Sequence, residues 1–196
     1  MNKIPEQLVG KSLDYGREID LLDETSAYNR YRTISKNLLD VNSWKKLAEG
    51  ISADFVIVNS NNEVQNRRVR KFDYIRIDIP GPGVPSTDGY DWVQVTALDQ
   101  YDNQNKRKTF ISLQPCQDPT NKDNETAHFF KKYTSSNITI KQEGNRITLH
   151  YAGRNEVIND DTDNMLDNVR NFIVGLGAKL GASYPQWKAL IDGLAK

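Results

Sequence analysis

The sequence has few of the residues from which most catalytic and metal sites are built. It contains one cysteine, Cys116, and two histidines, His128 and His150, among 196 residues. A single cysteine excludes an intrachain disulfide, which fits a reducing compartment and predicts a cytoplasmic location. The histidines form neither an HxH nor an HExxH pattern, so the close spacing typical of zinc ligands is missing. We therefore expect no metal site and no cofactor.

Long apolar runs and an excess of charge are also missing. No stretch approaches the roughly 18 consecutive apolar residues that a membrane helix needs, so we expect no membrane partner. The first 16 residues have no apolar core of the kind a secretory signal requires. Basic and acidic residues number 26 each, for a formal net charge of zero. This neutrality argues against general electrostatic binding to nucleic acid or anionic lipid, but it leaves room for a local patch.

The most informative stretch that is present runs from Arg67 to Ala97. Within it, the isoleucines at 75, 77 and 79 alternate with polar residues, which predicts a half-buried strand. The preceding basic run, 67–71, either continues this strand or is separated from it by a bend at Asp73. In an unbroken strand, one face would carry a row of basic and aromatic side chains: Arg68, Arg70, Phe72, Tyr74 and Arg76.

A proline-rich loop follows this strand. The Pro-Gly pairs at 80–83 suit type II turns, and the next strand is predicted at 90–98 with Trp92 near its start. The loop is too long to fix the register, so the face that Trp92 occupies stays open. A phosphate-binding loop would lead into a helix, whereas Val84-Pro85 and a strand come next. The pattern therefore indicates a stiff hairpin loop that serves as an exposed recognition edge.

Periodicity predicts the remaining elements. A helix is predicted at 24–39, and residues 1–16 show no clear period and are interpreted as an extended arm. A short helix begins at Trp44, with Asn42 or Ser43 as its N-cap and Gly50 as its stop. The other predicted elements are strands at 53–59 and 108–113, a hairpin of 137–142 with 146–151, and helices at about 163–194 whose last apolar face is Trp187, Leu190, Ile191 and Leu194.

These elements predict an α+β fold. We expect a mostly antiparallel curved sheet, or a small partly closed barrel, of about six strands. A C-terminal helix pair and an N-terminal helical segment would pack on it. The predicted division places an N-terminal arm and helices in 1–50 and a single α+β domain in 51–196, with strands at about 54–151 and helices at about 163–194.

The leading functional hypothesis is a non-catalytic binding or protein-interaction module, because no catalytic spacing is present. Its partner would be a protein or a small molecule of unknown identity, and homo-oligomerisation is left open. The predicted binding surface joins the basic-aromatic strand to the stiff loop and the following strand. Its residues are Arg68, Arg70, Tyr74, Arg76, Pro82, Gly83, Tyr90 and Trp92.

Two alternatives remain open at this point. Cys116, Asp118 and His128 surround a long polar loop and contain the residue types of a hydrolase that uses a cysteine nucleophile and a histidine base. Their spacing matches no known pattern, so the balance is against an enzyme and no catalytic residue is assigned. The other alternative is single-stranded nucleic-acid binding through the Arg67–Tyr74 face, where arginines and aromatics can hold phosphates and stack bases. Zero net charge argues against it.

One resemblance adds a little to this interpretation. The combination of IRIDIPGPG, the following GYDWV and a C-terminal PQW helix resembles a conserved hypothetical type of bacterial domain. The resemblance implies no activity.

Overall fold

The computed structural model describes residues 4–8, 11–48, 53–78, 90–103, 106–120, 134–156 and 184–196. Within these ranges the strands are β1 (Lys11–Asp20), β2 (Asp54–Val58), β3 (Tyr74–Asp78), β4 (Asp91–Asn103), β5 (Lys106–Pro115), β6 (Ser135–Glu143) and β7 (Arg146–Glu156). The helices are α1 (Glu24–Leu39), α2 (Trp44–Leu47), which follows a 3₁₀ turn at Val41–Ser43, and α3, described over 184–195. The chain is therefore α+β.

The strands form one open antiparallel sheet in the order β1-β7-β6-β5-β4-β3-β2. Adjacent strands are antiparallel throughout, including the predicted β3–β4 and β6–β7 hairpins. The described ranges contain seven strands instead of about six, because residues 11–20 form a strand where an extended arm was predicted. The first of the two helices predicted in 163–194 lies outside the described residues.

Strand β1 forms one edge of the sheet by pairing with β7. Leu13, Tyr15 and Ile19 lie opposite Gly153, Tyr151 and Ile147, on the face that also carries the apolar residues of β7. Most of β1 is exposed, as expected for a strand at the edge of a sheet. Residues 11–20 therefore belong to the same sheet as the rest of the chain.

One face of the sheet, which we call the inner face, carries the hydrophobic core. Each central strand contributes alternate branched side chains to it, as the period of two predicts. Fully buried members of this core are Ile57, Ile75, Val95, Ile111, Ile138, Ile140, Ile147 and Leu149. Helix α1 packs on this face through Ala27, Tyr31, Ile34 and Leu38.

Helix α3 and α2 meet the sheet in a cluster of aromatic rings. The Trp187 ring stacks on Tyr151 at 5.6 Å and lies 5.6 Å from Phe55 and 6.1 Å from Trp44, centroid to centroid. The predicted apolar face of α3 is confirmed, since Trp187, Leu190, Ile191 and Leu194 are each at most 1% exposed. A Cβ on Gly193 would lie 1.8 Å from the Leu47 carbonyl oxygen, so only glycine permits this approach of α3 to α2.

The starts of α1 and α2 differ in their capping. Asp23 caps α1 by accepting a hydrogen bond from the Ser26 amide at 2.7 Å. Neither Asn42 nor Ser43 caps α2 in this way. The Asn42 carboxamide instead accepts from the Ile57 amide of β2 at 2.8 Å, and the Ser43 hydroxyl donates to Asp40 at 2.8 Å. Ser43 therefore occupies the predicted N-cap position of α2, but neither side chain makes the expected capping hydrogen bond, because each is bonded elsewhere.

Candidate functional site

A groove of about 550 Å³ lies between helix α1 and the end of strand β4. Helix α1 forms one wall with Tyr28, Arg32 and Lys36. The opposite wall is formed by residues 100–102 of β4, and Arg68 closes one side. We call this feature the α1–β4 groove. Its volume falls within the range typical of small-ligand sites, about 300–1,000 Å³.

The groove exists because β3 covers only the first part of β4. Pairing between them runs from Ile77 opposite Asp91 to Tyr74 opposite Gln94. This contact ends at Val95. Its carbonyl accepts a hydrogen bond from the Phe72 amide at 2.7 Å, and its amide donates to the Asp73 carbonyl at 2.9 Å. Beyond Val95, the described residues provide no strand on this side of β4, although β4 continues to Asn103.

The chain between residues 67 and 73 turns away from β4 toward α1. The Arg67 guanidinium donates to both carboxylate oxygens of Asp73, at 2.6 and 2.8 Å, and the Arg70 amide also donates to this carboxylate at 2.8 Å. Phe72 takes a positive φ of 74° and is 64% exposed. Of the two alternatives for this stretch, the structure has the bend. The Arg67–Tyr74 segment is therefore not a single strand face.

This bend places Arg68 beside helix α1. The Val69 amide donates to the Leu39 carbonyl at the end of α1 at 2.9 Å, and the Val69 side chain is buried. The Arg67 guanidinium is held by Asp73, a contact that raises the pKa of Arg67. Arg68, the next residue, is exposed and lines the groove. The basic run thus contributes one cation to the groove and uses another to stabilise the bend.

Three exposed cations line the groove, and none forms an ion pair with an acidic residue of the described ranges. Arg32 and Lys36 lie one helical turn apart on α1, and Arg68 faces them. The acidic lining residue in these ranges is Asp102, whose Oδ1 already lies 2.8 Å from Arg107 Nε. By contrast, carboxylates lie against other arginines: Arg17, Arg67, Arg107, Arg146 and Arg154. The groove therefore presents a net positive charge to solvent.

The side of the groove formed by Tyr28 is fixed by Arg107. The Arg107 side chain is 12% exposed, and its Nη1 donates to the Gln142 side chain at 2.6 Å. Its Cζ lies 4.2 Å from the Tyr28 ring centroid, and that of Arg32 lies 5.6 Å from the same ring. Glu24 Oε1 lies 3.8 Å from Arg107 Nη1. These contacts fix the first half of α1 on strands β5 and β6.

A buried hydrogen-bond chain holds the middle of α1. The hydroxyls of Tyr31 and Thr109 are 2.9 Å apart, and the Thr109 hydroxyl donates to Ser35 at 3.0 Å. All three residues are at most 6% exposed. Buried hydroxyls without partners are costly, so this chain specifies how α1 lies on β5. The cations of α1 are therefore presented from a well-held helix.

The sheet surface behind the groove carries a pair of lysines. Lys108 of β5 lies opposite Tyr101 on one side and opposite Lys141 of β6 on the other. Burial, followed by repulsion from Lys141, lowers the pKa of Lys108. Like charges directly opposite each other on a sheet are destabilising. This pair lies on the outer face and does not line the groove.

The predicted binding residues do not all come together. Arg68 lines the groove, whereas Arg70 lies exposed in the bend. Tyr74 and Arg76 belong to β3 and share the outer face, opposite Gln94 and Trp92 respectively. The predicted loop residues Pro82 and Gly83 lie outside the described residues.

A second group forms around Arg76. Its Cζ lies 4.6 Å from the Tyr90 ring centroid, and its Nη1 donates to Asn62 at 2.8 Å. Trp92 is on the outer face, which the sequence left open, but only 2% of it is exposed. Its indole Nε1 has no hydrogen-bond partner among the described residues. Arg76, Tyr90 and Trp92 are thus brought together, with Trp92 inaccessible to a partner.

The structure describes three of the four residues considered for catalysis and metal binding. Cys116 follows β5 and is half-buried, with its amide donating to the Trp92 carbonyl at 2.9 Å. Asp118 accepts hydrogen bonds from Thr120 within a turn, and His128 lies outside the described residues. His150 is on the outer face of β7, 2.9 Å from Asp14. The described residues contain no group of three or more His, Cys, Asp or Glu that could hold a metal ion.

Sequence analysis did not select Arg32 and Lys36. They lie on the polar face of a correctly predicted helix, where charged residues are ordinary. The i, i+4 spacing of these two cations was the available signal. Its significance depends on Arg68, which is remote in sequence and reaches the helix through the bend at Asp73.

None of the helices in the described ranges has the length and apolar character needed to cross a membrane. No protein-family model matches the sequence, and no curated protein is significantly similar to it.

Comparison with solved structures finds remote likenesses. A hypothetical protein from Helicobacter pylori has 10% identity and a TM-score of 0.48, with 99% of this chain and 96% of that chain covered. Norcoclaurine synthase from Thalictrum flavum has 12% identity and a TM-score of 0.41, with 98% and 96% covered. The major latex-like protein 151 from Panax ginseng has 9% identity and a TM-score of 0.36, with 88% and 96% covered. Values this low give no basis for transferring an activity to this chain.

Proposed function

We propose that the chain is a non-catalytic binding or protein-interaction module, and that the α1–β4 groove receives an acidic partner. The observation that carries this proposal is the set of three exposed cations, Arg32, Lys36 and Arg68, that have no acidic counterpart in the described ranges. Guanidinium and ammonium groups bind carboxylates and phosphates, and guanidinium does so in a bidentate geometry. The fixed Tyr28 ring and the polar groups of β4 add directional contacts.

The chemistry of the groove supports binding more than catalysis. Its described lining contains no cysteine to act as a nucleophile and no histidine, the residue that most often acts as a general acid or base. The described groups of the groove are therefore better suited to holding an anion than to forming a bond with it. A cytoplasmic location is part of the same proposal, because a lone cysteine fits a reducing compartment.

The proposal is tested by titrating the protein with poly-L-glutamate and with citrate, using calorimetry at low and at physiological salt. Wild-type protein is expected to bind both, with affinity falling as salt rises. The triple variant Arg32→Gln, Lys36→Gln, Arg68→Gln should bind about tenfold more weakly, since three exposed ion pairs of about 0.5 kcal/mol each are lost. The matched control is Lys11→Gln, Lys46→Gln, Lys141→Gln, which removes three exposed cations elsewhere. This control loses the same net charge but keeps the groove, so its affinity for both anions should stay within about twofold of the wild-type affinity.

Two results would contradict the proposal. Equal losses in the groove variant and the control would mean that net charge alone, not the groove, attracts the anions. Tighter binding of a mixed single-stranded oligonucleotide than of poly-L-glutamate would favour the nucleic-acid alternative. Binding of nucleic acid should then fall steeply with salt.

A further inference from the structure

Within the described residues, the wall of the α1–β4 groove opposite the helix is a stretch of strand edge that has no neighbouring strand. Beyond the last contact with β3 at Val95, β4 keeps its pairing with β5 as far as Asn103, but no described strand lies on its other side. Residues 100–103 are exposed, and Tyr101 is 44% exposed. In an antiparallel ladder, the backbone groups of every second residue point away from the partner strand. This edge therefore offers amide donors and carbonyl acceptors to an incoming chain.

We infer that the partner of the groove is an extended acidic peptide segment, which adds to the exposed edge of β4 at residues 100–103 as an additional strand. This inference rests on the proposed function and specifies its partner. Strand addition to an exposed edge uses main-chain hydrogen bonds for affinity and side-chain contacts for specificity. Four residues of edge span about 13 Å, which is enough to pair a short segment.

The charges beside the edge select an acidic segment. A strand laid along β4 would pass between β4 and α1, where Arg32 and Lys36 project from the helix and Arg68 from the bend. Alternate side chains of an extended peptide point to one face. Acidic residues at alternate positions would therefore meet these cations on one side of the peptide while its backbone pairs with β4. The Asp102 carboxylate should repel the acidic residues of the peptide only weakly, because the Arg107 guanidinium lies against it.

A second copy of this chain fits the β4 edge less well than an acidic peptide does. Pairing two β4 edges would bring two sets of the same three cations together across the interface. Like-charge juxtaposition of this kind disfavours association. An acidic segment from another protein relieves the uncompensated charge instead.

The experiment uses the full chain and an acetylated, amidated heptapeptide of alternating threonine and glutamate, with a fluorescent label for anisotropy. Two further peptides carry N-methyl groups, one on the glutamates and the other on the threonines. Their charges are identical, but each lacks the amide donors of one edge. Only one edge of an added strand faces β4, so one methylated peptide should bind at least about tenfold more weakly and the other within about twofold of the parent. Amide hydrogen exchange at alternate residues of 100–103 should also slow on binding the parent peptide.

The remaining outcomes overturn the inference and separate it from the proposed function. If both methylated peptides bind like the parent, or both weaken equally, the peptide does not pair with β4. Retained citrate binding that depends on the groove cations would then leave the proposed function standing. If the peptide, citrate and poly-L-glutamate all fail to bind, both the inference and the proposed function are wrong. Concentration-dependent dimerisation that protects 100–103 without peptide would show a second copy on this edge.

Discussion

Substitution of Asp192 by asparagine should weaken the attachment of α3 to β1. The Asp192 carboxylate accepts hydrogen bonds from Tyr15 Oη at 2.6 Å, Arg17 Nε at 2.6 Å and Lys188 Nζ at 2.8 Å. Burial alone would raise the pKa of Asp192, but these donors outweigh it and lower the pKa from 3.8 to about 2. A shift of this size corresponds to about 2 kcal/mol at neutral pH. Because 26% of the side chain is exposed, we expect screening to leave roughly 1–2 kcal/mol.

The lowered pKa of Asp192 determines how the stability difference between wild type and Asp192→Asn changes with pH. A carboxyl group whose pKa is lower in the folded protein stabilises it above its unfolded pKa and loses this effect as the pH falls through the folded pKa. The stability difference between wild type and Asp192→Asn should therefore be full at pH 6–7 and fall to about half by pH 3. Urea unfolding followed by tryptophan fluorescence at each pH measures it.

The matched control for this variant is Asp20→Asn. The Arg146 hydrogen bond lowers the pKa of Asp20 as well, but 60% of the Asp20 side chain is exposed, so its loss should cost clearly less. Equal costs for the two variants, or a difference for Asp192→Asn that does not change between pH 7 and pH 3, would refute the reasoning.

Three further predictions concern the packing around the groove and the sheet. Thr109→Val should cost about 1–3 kcal/mol in urea unfolding, because it leaves the buried Tyr31 hydroxyl without its partner; no loss would exclude that hydrogen-bond chain. Gly193→Ala should destabilise by about 1–3 kcal/mol, since its new Cβ would overlap the α2 backbone; an unchanged melting temperature would mean that the two helices are not in contact. Lys141→Gln should raise the pKa of Lys108 as followed by lysine side-chain NMR, and an unchanged titration would show that the two ammonium groups do not interact.

Local patterns predicted much of the fold correctly. Helix α1 was predicted over 24–39, the bounds it has in the structure, because its apolar stripe is regular. The β6–β7 hairpin followed from clean alternation on both sides of Gly144, which takes a positive φ of 57° at the turn. In such segments, local pattern and tertiary packing favour the same structure.

Strand β1 was missed because its pattern is interrupted. Arg17 occupies an inward-facing position between Tyr15 and Ile19, where alternation calls for an apolar residue. The structure accommodates it by pairing its guanidinium with Asp192, far along the chain. An edge strand that is stabilised by such a distant contact leaves little local signal.

The groove could be predicted only in part, for a similar reason. Arg68 was among the predicted binding residues, but the sequence left open whether it shares a strand face with Tyr74 or is separated from it by a bend. The bend that separates them depends on the carboxylate of Asp73, which holds Arg67 and the Arg70 amide together. A sequence pattern shows these residue types but not which of them pair, and the pairing decides which cation reaches α1.

Zero-length coupling gives the most direct test that the groove binds an acidic partner. A carbodiimide joins carboxylates to lysine amines that they contact, and mass spectrometry identifies the lysines. With poly-L-glutamate at low protein concentration, coupling should occur preferentially at Lys36, and much less at Lys46 and Lys141, which are also exposed. Excess salt should reduce the coupling at Lys36. Equal coupling at all three lysines, or a preference for Lys141, would contradict the assignment of the groove.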